Sequence, residues 1–245
     1  MGGTLLNSFT VLLGSSVGLL IGHRLPPRIQ ESVMTGLGLV TLVVGFSNAN
    51  ETGNIILPLL SLVIGAVVGE LLRLDVRLEG FAGWVQSRVQ GEASDAAASD
   101  RRARFIQGFV TSSLVFCVGP LTFVGSIQDG MGLNSGFEQL AIKSTLDLFS
   151  SMAFAASLGI GVLFSVFTVL SVQGGLALLG ALAGQFMTDP MINEMTAVGG
   201  LILIGLGLVL LDIKKPRMVN FLPGLLIAPL LVELATLLGI NIYPL

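Results

Sequence analysis

Apolar stretches of about 20 residues, separated by short polar breaks, recur along the whole chain. They fall at about 4–22, 31–48, 54–73, 105–125, 139–157, 162–186, 192–212 and 218–239. A helix of roughly 20 apolar residues crosses the hydrocarbon core of a bilayer. The pattern therefore predicts an all-α, polytopic transmembrane bundle of about eight spans. The short alternating segments of a membrane β-barrel are absent. The breaks have turn chemistry: HRLPPR after the first span, NANETGN after the second, TDP after the sixth and DIKKPR after the seventh. SLGIG, a tight glycine turn, separates the fifth span from the sixth.

Residues 74–104 depart from this rhythm. VRLEGFAGWVQSRV places Val76, Leu78, Phe81, Trp84, Val85 and Val89 mostly along one helical face. An apolar face carrying the single tryptophan predicts an amphipathic helix lying in the membrane interface. EASDAAASD after it has the composition of a mobile acidic linker.

The flanking spans resemble each other. GLLIGHRLPPRIQESVMTGLGLVTLVVG (18–45) aligns without a gap on GALAGQFMTDPMINEMTAVGGLILIGLG (180–207). Gly18, Gly22, Gly38 and Gly45 then meet Gly180, Gly184, Gly200 and Gly207. NIILPLLSLVIG and NFLPGLLIAPLL follow in their respective copies, each with asparagine just ahead of proline. The expected organisation is a first three-helix repeat at 1–73, an interfacial helix and linker at 74–104, a central helix pair at 105–161 and a second repeat at 162–245. Glycine-rich spans also align with one another easily, which is the competing explanation.

Charge gives the direction of each copy. Arg24, Arg28, the six arginines from Arg73 to Arg104, Lys214, Lys215 and Arg217 all share one side if eight spans run with both termini outside. Lysine and arginine are retained on the cytoplasmic side. The two repeats then enter from opposite sides, an inversion characteristic of secondary transporters and of some channels. The steps Gly14–Gly18–Gly22, Gly65–Gly69 and Gly180–Gly184 suit close helix approach, either inside the bundle or across a homodimer.

Composition narrows the classes further. Charged residues make up 11% of the chain and hydrophobic ones 53%. A net charge of −3 gives no reason to expect a nucleic-acid partner, and membrane lipid is the implied surroundings. One cysteine, Cys117, excludes an intrachain disulfide and a multi-cysteine metal site, so no metal or cofactor is expected. The first segment, MGGTLLNSFTVLLG, lacks the basic start of a cleavable signal peptide and reads as a retained span.

The candidate chemistry lies in the centre. Gly119-Pro120 breaks the fourth span, with Gly125 and Ser126 close behind. Proline removes an amide donor and frees a carbonyl, a defect that lipid cannot satisfy but a polar cavity can. GSIQDGMGLNSG adds Gln128, Asp129 and Asn134. The fifth span then carries Lys143 and Asp147 at i, i+4 on one face, with Ser144 between them and Ser150 and Ser151 beyond. Each charge at the bilayer centre costs about 2.5–3.5 kcal/mol on insertion scales, and charges kept there commonly mark a pathway. The alternative is a structural salt bridge near the outer interface, with the lysine reaching water. Gln173, followed by Gly174-Gly175, interrupts the sixth span and is a further pathway candidate or kink. Glu70, Glu233 and His23 sit near span ends, where headgroups satisfy them.

GPLTFVGSIQDG, KSTLD, GIGV, VQGG and VGGLILIGLGLVLLDIKK with VNFLPGLL together resemble the YqgA/YdfK-like family of bacterial inner-membrane proteins. The resemblance covers nearly the whole chain apart from 74–104. It implies a multi-pass protein of the bacterial cytoplasmic membrane, described as a transporter, and it names no substrate. It also implies a polar signature of Pro120, Gly125, Ser126, Asp129, Gly130, Lys143, Ser144 and Asp147.

Three functions fit. A secondary transporter would place a small ion or solute at the broken fourth span and the fifth, with Asp147 taking a cation or proton and Lys143 setting its charge state or holding an anionic group. A passive channel would use the same residues as a filter. A scaffold or regulatory protein would dock partners around Trp84. An enzyme fits least, because H-E-x-x-H and a phosphate-cradling loop are both missing.

Overall fold

In a computed structural model of the chain, residues 1–22, 26–90, 96–117, 120–183 and 187–241 are described. Their regular structure is entirely helical. In order come α1 (Gly2–Gly22), α2 (Pro27–Ala49), α3 (Ile56–Leu72), α4 (Leu74–Gln90), α5 (Ala96–Cys117), α6 (Pro120–Gly130), α7 (Asn134–Leu158), α8 (Gly161–Ala183) and α9 (Asp189–Leu210). A 3₁₀ turn at Met218–Phe221 leads into α10 (Pro223–Leu237).

The protein is an all-α, multi-pass membrane protein. Five helices or helix stretches are each long and apolar enough to cross a bilayer; counting the bent pairs α3–α4 (55°) and α5–α6 (66°) as one span each gives seven. Arg73, in the left-handed conformation at φ 49°, ends α3 and turns the chain into α4. α7 carries Glu138, Lys143 and Asp147, which make it more polar along its length than those five. Its outward face is nonetheless apolar: Ile142, Leu146 and Phe149 are exposed, while Lys143, Ser144, Asp147 and Ser151 are buried. α1 follows the same inverted rule, with Gly3, Thr4, Asn7, Ser8, Gly14, Ser15, Gly18 and Gly22 inward and Leu5, Phe9, Leu13 and Leu20 outward. Water would reverse that arrangement and lipid favours it, because only the inward face offers polar groups a partner.

The described chain divides into two compact units. The first comprises residues 1–37, 77–117 and 121–185. Its principal pairing is α1 against α7. Lipid supplies no hydrophobic drive for helix association, so the helices need intimate packing, and glycine permits it. A Cβ on Gly14, Gly18 or Gly22 would run into the backbone oxygens of Leu148, Met152 or Ala156, respectively. Partner numbers rise together, so α1 and α7 run parallel. The glycine stripe of the first span is thus covered from inside the chain.

α5 and α8 are also parallel. Gly161 meets the backbone of Phe105, and Ser113 Oγ donates to Thr168 Oγ1 at 2.9 Å. α6 and α7 form an antiparallel hairpin, with Gly125 against Leu140 and Gly136 against the Gln128–Asp129 backbone. Gly180 of α8 packs on Ile127 of α6, and Gly130 of α6 on Ala177 of α8. Ala82 and Val85 of α4 join Phe105 and Phe109 of α5 in a small apolar core. Trp84 and Phe81 remain exposed and stacked at 6.0 Å, with the Arg88 guanidinium 5.5 Å over the Trp84 ring. The last residues of the acidic stretch, from Ala96, open α5, while 91–95 lie outside the described residues.

The second unit comprises residues 38–76, 118–120 and 186–245. A Cβ on Gly200 would sit 2.6 Å from the Gly45 carbonyl oxygen, and one on Gly207 would sit 3.3 Å from that of Gly38. Here the numbers run oppositely, so the second half of α2 is antiparallel to α9. α3 and α10 are antiparallel as well, with Gly65 against Gly224 and Gly69 against Asn220. Asn220 Oδ1 accepts the Asp75 backbone N–H at 2.9 Å, and Arg217 reaches Glu70 at 2.8 Å. Glu194, fully buried, accepts from Thr52 Oγ1 at 2.7 Å and from the Gly53 N–H at 3.1 Å. This carboxylate ties the NETG loop to α9.

Candidate functional site

The candidate site lies within the first unit, on α7 and the helices that surround it. α7 begins five residues before the apolar stretch does, at Asn134. At 1.5 Å per residue, Lys143 and Asp147 therefore lie about 14 and 20 Å along a helix of about 37 Å. This is the middle of α7 and not its outer end. Lys143 Nζ donates to Asp147 Oδ2 at 2.5 Å, and the two residues are only 5% and 6% exposed. Asn7 of α1 donates its Nδ2 to the same Oδ2 at 3.0 Å. Both hydrogen bonds of the carboxylate thus fall on one oxygen. Ser144 Oγ is spent on the Leu140 carbonyl one turn back, at 2.6 Å.

The start of α6 approaches this pair. Extending the antiparallel α6–α7 register from Gly125–Leu140 brings Thr122 level with Lys143. Phe116, on the other side of the break, meets Phe154 of α7, their rings 6.2 Å apart. Residues 118 and 119 lie outside the described set, as does the Pro120 side chain, although Pro120 opens α6. The freed carbonyl of Phe116 is not left bare, since Thr122 Oγ1 donates to it at 3.0 Å.

Gln173 lies opposite the end of α5. The α5–α8 register, Phe105 beside Gly161 and Ser113 beside Thr168, continues to Cys117 beside Gln173. Independently, Gln173 lies one turn from Ala177, which touches the end of α6 at Gly130. α8 runs unbroken through this point, so Gln173-Gly174-Gly175 is no interruption. Gln173 is fully buried, and neither its Oε1 nor its Nε2 has a hydrogen-bond partner. The same is true of Asn7 Oδ1 and of the Ser126 and Thr4 hydroxyls. An unpaired polar group in a low-dielectric interior costs about 1–3 kcal/mol each. Of these, Asn7 Oδ1 belongs to a side chain that touches the pair, and water or a solute would satisfy it.

The remaining sequence candidates lie nearer the start of α7. Asp129 is buried; its Oδ2 accepts the Thr4 N–H at 3.3 Å, with the Met1 amino group also at 3.3 Å. A carboxylate at a helix N-terminus is favourably placed. Gln128 turns to the first turns of α7, where its Oε1 accepts from Ser135 at 2.9 Å and from Gln139 at 3.3 Å. Gly125 lets α6 approach the Leu140 side chain.

Sequence reasoning overlooked Asn7. Thr4, Asn7 and Ser8 at i, i+3 and i+4 inside an apolar span were the available signal, since an asparagine in lipid demands a partner. Nothing in the sequence around Glu194 announces the Thr52-Gly53 loop that buries it.

A family model described as "Protein of unknown function (DUF554)" matches residues 2–233. The chain belongs to the DUF554 family. Within DUF554, it is 33% identical over 226 residues to "Uncharacterized protein YqgA" of Escherichia coli (strain K12), covering 92% of this chain and 94% of the relative. It is 25% identical over 245 residues to "Uncharacterized membrane protein YdfK" of Bacillus subtilis (strain 168), covering 98% and 100%. No solved structure matches this DUF554 chain.

Proposed function

We propose that the protein is a secondary transporter that moves a small ion or solute by alternating access, with its site at Asn7, Lys143, Asp147 and Gln173. The observation that carries this reading is the buried Lys143–Asp147 pair, met by Asn7. Isolated charges are expelled from lipid, and a charge pair at mid-helix beside polar groups with no partner suits a substrate pathway.

Helix directions support an eight-span arrangement. Parallel α5 and α8 need one return crossing between them, and α7 is the helix available for it. α7 is also parallel to α1, as a fifth span must be to a first. Arginine and lysine then favour both termini outside, in the cytoplasmic membrane of a bacterium. Inverted repeats gain support from the glycines. A two-fold axis in the membrane plane, relating residue i to i+162, maps the Gly45–Gly200 approach onto Gly207–Gly38; both approaches occur, and α2 and α9 are antiparallel as that axis requires. Repeats inserted the same way up would make them parallel.

The site is carried wholly by one compact unit, which suits a carrier that moves its site as one piece. A channel is disfavoured by the closed ion pair, and unitary currents would distinguish it. A docking role is favoured by one observation, the exposed Phe81–Trp84 stack under Arg88. Deleting residues 76–98 should abolish a docking phenotype and leave flux unaffected by the partner. The decisive experiment is uptake of radiolabelled small solutes into proteoliposomes. Flux found for the parent should vanish in Asp147→Asn and Lys143→Ala; equal flux in all three would remove the pair from the mechanism.

A further inference from the structure

We infer that the solute is a small zwitterion, of the class of α-amino acids with an uncharged side chain, bound by exchange of ion-pair partners at Lys143 and Asp147. That it is carried across the membrane rests on the transport reading above; that it binds does not.

The argument begins with charge balance. Lys143 and Asp147 close on each other at 2.5 Å and are both buried, so the empty pair is internally neutral. A lone cation arriving at Asp147 would strand the Lys143 ammonium in lipid, and a lone anion at Lys143 would strand the carboxylate. A neutral solute could use the amides but gives the charged groups nothing for parting. A zwitterion alone supplies both replacements at once. Its carboxylate accepts from Lys143 Nζ while its ammonium donates to Asp147, and the summed charge never changes.

The unused hydrogen-bonding groups match that ligand in kind. Lys143 Nζ uses one of its three N–H donors, on Asp147. Asp147 takes both its bonds on Oδ2. Asn7 Oδ1 and Gln173 Oε1 are free acceptors suited to an ammonium, and Gln173 Nε2 is a free donor suited to a carboxylate. Gln173 is fully buried, so its free amide has no bulk water to turn to. Gly125 brings α6 tightly against Leu140, and among the described residues no third charged side chain touches Lys143 or Asp147. Both features favour a small ligand with an uncharged side chain. When the ligand leaves, the pair recloses, so the empty protein also carries no net charge at the site. Transport should therefore be electroneutral.

Binding is tested first on the full chain in detergent by thermal unfolding. The probes are glycine, L-alanine and L-serine, set against ethylamine, propionate and propionamide at equal millimolar concentration. The zwitterions should raise the melting temperature by several degrees and the other three should not, because a ligand stabilises the state that binds it. Gln173→Leu keeps the ion pair and should weaken the shift, Lys143→Met should abolish it, and Gly174→Ala, whose added Cβ meets nothing, should keep it in full. No shift with any zwitterion, or an equal shift with ethylamine or propionate alone, overturns the substrate class, even if flux of another solute leaves the transporter reading intact. A zwitterion that stabilises the protein without entering proteoliposomes supports the binding site and refutes transport. Uptake driven or blocked by a potassium diffusion potential would overturn electroneutrality.

Discussion

Removing one charge from the α7 pair should destabilise the protein far more than removing both. In Lys143→Met the Asp147 carboxylate stays buried, held only by Asn7 Nδ2 at 3.0 Å. Breaking a buried pair by deleting one partner costs about 3–5 kcal/mol, and Asp147→Leu should cost a similar amount by stranding the ammonium. At the observed 2.5 Å, Coulomb attraction at an effective dielectric constant near 20 is on the order of 6–7 kcal/mol, so the source term is large enough. The double variant Lys143→Met/Asp147→Leu removes both desolvation penalties. Replacing a buried pair by apolar groups is neutral or stabilising by about 1–4 kcal/mol. Against this stands the unpaired Asn7 amide, at about 1–3 kcal/mol. The double variant should therefore lie within about 3 kcal/mol of the parent, and the coupling should be several kcal/mol. Reversible unfolding in mixed micelles, run as a double-mutant cycle, measures it. Additive single effects, or a coupling below about 1 kcal/mol as for exposed pairs, would refute a buried and interdependent pair.

Two further predictions concern packing and the second unit. Gly18→Leu must push α1 off the Met152 backbone and should sharply reduce folded yield in detergent gel filtration, while Gly36→Ala, with open space around it, should leave yield unchanged. Glu194→Gln loses charge-assisted bonds to Thr52 and Gly53 and should cost about 1.5–3 kcal/mol. By contrast, Arg217→Ala breaks a pair with Glu70 that is 64% and 45% exposed and should cost no more than about 1 kcal/mol. The same unfolding assay ranks the two, and an Arg217 effect equal to that of Glu194 would contradict their assigned burial.

The bilayer made much of this protein legible one residue at a time. Its thickness sets a length for every span, and its low polarity makes Lys143 and Asp147 conspicuous without knowledge of any neighbour. The i, i+4 spacing placed the two on one face, and the proline after Gly119 marked where a span breaks. The glycine steps announced close helix approach, because no larger side chain permits it. None of these inferences needed a partner helix to be named.

What the chain's own order could not decide is which faces meet. Asn7 and Asp147 are far apart in sequence, and only the parallel packing of α1 on α7 brings them to 3.0 Å. Gln173 was a polar interruption in the sequence; the α5–α8 register puts it level with the break, and the packing around it leaves its amide without a partner. The Gly14–Gly18–Gly22 stripe could have served a second copy of the chain, but α7 covers it. Spans and charge costs follow from each residue's exchange with lipid, whereas a site depends on side-chain geometry that exists only once several helices share an interior.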